Sequence, residues 1–324
     1  MPSPLALDFF TGGQAAFAYD INGSGQMVGW SEQRDPALEI HAALWDNTSA
    51  ITLLRSLVYP GNYLASAWGI NDSGQIVGQS QGSGFSYRPV LWNASVTPTV
   101  LDRLSGGNWG LAYDINASGQ MVGSSTATDT YYHAVLWDGG TTVTALDFLS
   151  GGTEARAYGI NASGVIVGYS TATDGYVHAV YWTGTTPTAL AFLSGGTDAV
   201  AYDINDSGLI VGASTAGDGK RYAVVWDGGT PTALAQLAGD TWAEAWAINT
   251  SGQMVGYGSE AIFWNDPTAE AVALPALPGG TASWAQGLND SGKIVGRADA
   301  TDTYYHAVRW VAPGAARAGW GIIV

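Results

Sequence analysis

Three sets of residues in this chain of 324 have types and spacings that could do chemistry. His133, His178 and His306 each stand four residues after an aspartate (Asp129, Asp174, Asp302) and four before a tryptophan. Asp–His pairs can ligate a metal or relay a proton. A metal needs ligands that converge, however, and equivalent pairs in successive repeats are spread apart. A structural hydrogen bond within each repeat is therefore expected, and no metal site. Asp20, Asp114 and Asp203 open D-I-N-x-S-G segments that supply only the first oxygens of a calcium loop. Calcium takes about 6–8 oxygen ligands. Four sister copies carry Gly69, Gly159, Ala247 or Gly287 instead, so a hairpin turn is the expected role and no cofactor is expected. The third set is the carboxylate pairs Glu154 with Asp198 and Asp240 with Glu244. These could serve a glycosidase, whose mechanism depends on a separation that sequence does not give.

No G-x-S-x-G elbow, HExxH helix or Walker-type loop accompanies these groups. Candidate ligand-binding residues fall where the copies differ, just after a recurring Gly-Gly. They are Trp109, Glu154, Arg156, Asp198, Trp242, Glu244 and Trp284, flanked by Gln14, Phe17, Tyr59, Asn62, Tyr63, Asn108, Asp240 and Ser283. Aromatic rings beside carboxylates and amides suit a carbohydrate or a protein loop, through stacking plus hydrogen bonds. The competing reading is that these rings only cap the ends of the repeats.

What must position these groups is a repeat. I/L-N-x-S-G-x-I/M-V-G occurs seven times, with asparagines at 22, 71, 116, 161, 205, 249 and 289. Each copy is followed by a segment ending in Trp45, Trp92, Trp137, Trp182, Trp226, Trp264 or Trp310, and then by T-x-L-x-x-L-x-G-G or a variant. Each unit reads as four short strands: A-Y/W-x-I-N, x-I/M-V-G-x-S, A-V-L-W and T-x-L-x-x-L. In the first turn asparagine bonds the backbone ahead and glycine takes the left-handed conformation. Four strands every 40–49 residues, seven times over, predict an all-β, seven-bladed β-propeller with antiparallel blades. Residues 5–13 (LALDFFTGG) match the fourth element, so the N-terminal strand around 7–10 should close the ring beside 305–310. The propeller then spans residues 1–310. Residues 311–324 form a tail or an additional outer strand, with 322–324 the alternative closing strand.

The linked IN-x-SG-x-x-VG and HA-V-L-W segments resemble the HAF repeat family of extracellular bacterial proteins. Here the tripeptide is His-Ala-Val at His133, His178 and His306, and His-Ala-Ala at His41. The resemblance covers nearly all of residues 5–310, implies a secreted or surface-displayed protein, and supplies no catalytic residue. A fainter likeness, through the D-x-N-x-S-G segments, is to FG-GAP propeller repeats.

Composition narrows the function. Twenty-seven acidic against 11 basic side chains, a net charge of −16, disfavour nucleic acid, whose phosphates need clustered Lys and Arg. There is no cysteine, hence no disulfide or thiolate metal site, and no apolar run approaches the ~18 residues of a membrane span. MPSPLALDFF lacks a basic n-region and a full apolar h-region, so no export signal is read in it. The leading reading is a non-enzymatic, secreted or surface-displayed binding module for a glycan or protein ligand on one face. A carbohydrate-active hydrolase or lyase using the loop carboxylates, and a structural or adhesive surface repeat protein, are the alternatives.

Overall fold

The inner hairpin turn sets the geometry of every blade. In the fourth, Asn161 Oδ1 accepts from the N–H groups of Ser163 (3.1 Å) and Val165 (3.0 Å) and from the Ser163 hydroxyl (2.8 Å). Gly164 completes the turn at φ +80°, a conformation that costs glycine little. In the computed structural model, which describes residues 3–34, 38–58, 64–82, 86–302 and 304–314, this turn recurs seven times and joins the two innermost strands of each blade.

From the turn the chain continues outward as an antiparallel meander, in the fourth blade Ala155–Ile160, Ile166–Thr171, Val177–Thr183 and Thr186–Ala189. Seven such four-stranded sheets, with no helix among the described residues, make the expected seven-bladed, all-β propeller. The last blade takes its outer strand from the other end of the chain. Leu5–Ala6 pairs with Val308 and Arg309, and the Leu7 N–H reaches the Ala307 carbonyl at 2.8 Å. Closure by the N-terminal strand therefore holds, but the paired residues lie before 7–10. Past Leu7 the chain leaves for the first blade, where the Asp8 carbonyl accepts the Trp45 indole N–H (2.8 Å). The alternative closing strand at 322–324 lies outside the described residues.

The fourth strands are shorter than T-x-L-x-x-L suggests. In the fourth blade the strand ends at Ala189, before Leu190 and Leu193. The chain is already crossing to the next blade, whose Ser214 hydroxyl accepts the Leu193 N–H (3.1 Å), and both leucines pack in the interface.

The core lies between the blades. Seven apolar clusters each span one pair of neighbours, such as Val122, Ala134 and Leu146 of the third blade with Ala155, Ala157, Ile160, Ile166, Val180 and Trp182 of the fourth. Both faces of the strands are covered, so the apolar runs need not alternate with polar residues. Each framework tryptophan also stitches its blade to the previous one, as the Trp182 indole N–H does to the Asp147 carbonyl (2.9 Å).

Nearest the axis, the asparagines close a ring of their own. Each side-chain Nδ2 donates to the backbone carbonyl of the next blade's asparagine: Asn22 to Asn71, then Asn116, Asn161, Asn205, Asn249, Asn289 and back to Asn22, at 3.0–3.3 Å. The Asn161→Ala variant strips a buried carboxamide from both its turn and this ring. It should lose about 1–3 kcal/mol of stability in urea unfolding. A loss indistinguishable from zero would contradict the role given to the ring.

Candidate functional site

Every innermost strand carries one irregularity in the same place. In the fourth blade the pairing slips between Ala157 and Gly159, leaving Tyr158 as an extra residue. The same slip leaves Tyr19, Trp68, Tyr113, Tyr202, Trp246 and Gln286 in the other blades. A β-bulge of this kind bends the strand and re-aims a side chain. The glycine of each V-G pair makes room for it: a Cβ on Gly168 would run into the Arg156 carbonyl across the bulge. The repeated glycine thus lets the two innermost strands approach closely beside the bulge.

The bulged residues meet at the axis. With Asp20, Asp114, Asp203 and Ala247 they line a cavity of about 350 Å³. Six rings form a continuous arc around it. Tyr19 stacks on Trp68 (4.1 Å between centroids, 7° between planes), Trp68 meets Tyr113 edge-on (5.9 Å) and Tyr113 meets Tyr158 edge-on (4.9 Å). Tyr158 is tilted against Tyr202 (5.6 Å), which stacks on Trp246 (4.3 Å, 7°). Gln286 occupies the seventh place.

The carboxylates belong to the first, third and fifth blades, and each joins two blades. Asp114 Oδ1 accepts the Ile115 N–H (2.7 Å) and Oδ2 the Ile160 N–H of the next blade (2.9 Å); Asp20 and Asp203 repeat the pattern with Ile21 and Ile70, and with Ile204 and Ile248. Where the neighbouring bulge crowds the same level, the sequence has glycine. A Cβ on Gly159 would stand 3.0 Å from the Tyr202 carbonyl and 3.1 Å from the Asp203 Cα. The D-I-N-x-S-G segments are accordingly turns and inter-blade clamps. Among the described residues no three acidic or histidine side chains are grouped closely enough to hold a metal ion.

Burial away from bulk water penalises ionisation of these acids. It pushes Asp20 up to about 6, against the pull of the Ile70 and Ile21 N–H groups. Asp114 rises to about 7, through burial and then the charge of Asp20, and Asp203 to about 8, through burial and then the charge of Asp114. Burial likewise raises the phenols of Tyr19, Tyr113, Tyr158 and Tyr202, which stay neutral near pH 7.

None of the seven candidate residues from the loops lines the cavity itself; Glu244 and Arg156 bond tyrosines that do. Glu244 accepts from the Tyr202 hydroxyl (3.1 Å) and pairs with Arg221 (2.6 Å). Glu154 accepts from the Tyr169 hydroxyl (2.7 Å) and lies 3.5 Å from Arg156, whose guanidinium covers the Tyr132 ring at 4.2 Å. Each extra tryptophan rests edge-on against a tyrosine at 5.1 Å: Trp109 on Tyr132, Trp242 on Tyr257 and Trp284 on Tyr305. Tyr257 in turn touches Trp246 of the arc (5.9 Å). Asp198 stays apart, its carboxylate taken by the Val177 N–H and the Thr197 hydroxyl. Asp240 bonds the Ser259 N–H and Tyr59, Asn62 and Tyr63 lie outside the described residues. His133, His178 and His306 bond Asp129, Asp174 and Asp302 at 2.8–3.0 Å, the structural pairing expected of them.

Sequence reasoning missed the arc. Its rings stand at the most regular place in the repeat and so read as framework. The available signal was the residue after them, which alternates between aspartate and a small residue as no packing position needs to. The three axial acids also set a pH dependence. Their folded values lie above the ordinary 3.8, so the folded protein holds protons that the unfolded chain releases. Their stabilising contribution is complete below about pH 4 and is lost progressively as pH rises from there to about 8. The urea midpoint should therefore fall across that range, and fall less in Asp203→Asn; a midpoint that climbs across it would contradict the assignment.

No family model matches the chain, and none of the curated proteins is similar to it. Among solved structures, a puromycin hydrolase is similar with a TM-score of 0.61 and 14% identity, over 96% of this chain and 55% of that one. A Mycobacterium tuberculosis puromycin-hydrolyzing peptidase gives 0.58 and 13%, over 97% and 55%. The extracellular domain of a one-component system from B. thetaiotaomicron gives 0.55 and 8%, over 95% and 39%. The chain spans about half the length of the puromycin-hydrolysing proteins, and what these likenesses share with it is the propeller fold.

Proposed function

We propose that this propeller is a binding module that takes a glycan or protein ligand at the mouth of its axial cavity. The observation that carries this reading is the unbroken arc of six rings lining one cavity of about 350 Å³. Its size falls in the usual range of ligand pockets, roughly 300–1,000 Å³, and its walls combine aromatic surface with a few polar groups. The surrounding surface suits a larger ligand. Trp242 and the hairpin tyrosines Tyr131, Tyr176 and Tyr304 are 39–49% exposed, and the rim offers Glu154, Arg156 and Glu244. A defined cavity favours binding over a purely adhesive or spacer role. The HAF-like motifs make a secreted or surface-displayed location part of the proposal.

One observation favours the hydrolase or lyase reading as second. Asp114 and Asp203 sit in the cavity with values near 7 and 8, suitable for general acid–base work. Both oxygens of each are spent on backbone N–H groups, which favours a structural role.

The test is a glycan-array and peptide-array screen with the wild type, repeated with two variants. Tyr158→Leu should weaken any captured ligand by about tenfold or more through loss of ring contacts. The triple variant Trp109→Ala, Trp242→Ala and Trp284→Ala should remain folded and bind more weakly, because those rings flank the mouth. Capture unaffected by both changes in folded proteins would rule out this face.

A further inference from the structure

We propose that the axial cavity recognises an alkylammonium cation, through the aromatic arc and the carboxylates of Asp20, Asp114 and Asp203. This rests on reading the cavity as the ligand site and specifies what that site takes. Its wall and its floor ask for different things from a ligand. The wall presents the rings of Tyr19, Trp68, Tyr113, Tyr158, Tyr202 and Trp246. The floor presents three carboxylates that accept only backbone N–H groups, and among the described residues no lysine, arginine or histidine forms an ion pair with them. A ligand with an apolar skin around a positive centre satisfies both. Cation–π contact strengthens when water is excluded from it.

Competing ligand chemistries fit less well. A bare metal ion needs several oxygens close together, and no such group exists among the described residues. A neutral sugar finds donors in the phenols, the indoles and Gln286, but it brings no positive charge to the three acids. An anion would meet the three acids.

The mouth shows the same chemistry satisfied internally. Arg156 covers Tyr132, and Arg297 lies over Phe17 (4.3 Å) and Trp284 (4.4 Å). Two of the three rim arginines are offset by partners, Arg156 by Glu154 and Arg221 by Glu244. Arg297, the third, lies over Phe17 and Trp284 and acts on the Tyr19 phenol of the lining through its charge. In mildly alkaline solution, where the three acids are ionised, the floor carries negative charge inside walls of low polarity, an arrangement that concentrates field on an entering cation.

Titration calorimetry on the wild-type chain, in mildly alkaline buffer that ionises the carboxylates, tests the assignment with three probes. Choline represents a quaternary ammonium head, n-butylammonium the end of a lysine-like side chain, and 3,3-dimethylbutan-1-ol the uncharged isostere of choline. At least one cation should bind saturably, and the isostere about tenfold or more weakly. The tighter cation identifies which kind of head is taken. Tyr158→Leu should weaken the cation about tenfold. Absence of binding by both cations, or an isostere that binds as tightly as choline, overturns the proposal. A neutral glycan or peptide that responds to Tyr158→Leu while choline fails to bind would overturn the cation assignment alone and leave the cavity as the binding site.

Discussion

The structure depends on a ring of seven asparagine side chains. Each carboxamide has two tasks that pull in different directions. Its oxygen folds the turn of its own blade, and its nitrogen reaches the backbone of the next. The last bond in the cycle, Asn289 to Asn22, joins residues 267 apart, so the cycle is complete only when both ends of the chain are in place. The residues involved are 4–5% exposed, where a polar group left without a partner is costly. Turn formation and ring closure are thereby carried by one residue type at one repeated position.

Holding the turns in a circle fixes what happens a few residues earlier. The inner strands must approach one another near the axis, and the bulge in each lets a large side chain turn into the space that remains. The rings and the carboxylates lie next to one another in sequence, so the same bulge delivers both to the same cavity. Seven is odd, which breaks a strict alternation of acid and small residue. Ala247 stands between Asp203 and Gly287, and in that last pair of blades Gln286 takes the place of an aromatic ring. The arc is therefore open on one side, and the cavity is not seven-fold symmetric in chemistry although the backbone nearly is.

The blade count, the turn chemistry and the closing strand could be read from sequence because each leaves a repeated local signature. Asn161, Ser163 and Gly164 are neighbours, and their bonds are short-range. Which side of a strand faces the axis is not local. It follows from the slip at Tyr158, whose trace in sequence is a glycine ten residues later, Gly168, that reads equally well as a turn residue. Of the variable loop residues, Glu244 and Arg156 bond tyrosines of the cavity lining. Variation pointed to the rim, and the cavity was built from the constant part. Asp198 shows the limit of that approach, since its carboxylate is used to hold a neighbouring hairpin.

The most direct measurement of the central claim is a crystal structure of the protein soaked with choline. The account predicts difference density on the axis, within about 6 Å of the Tyr113, Tyr158 and Tyr202 ring centroids and facing the three aspartates. Density seated instead among Trp109, Trp242 and Trp284, over an axial cavity filled only with solvent, would contradict it.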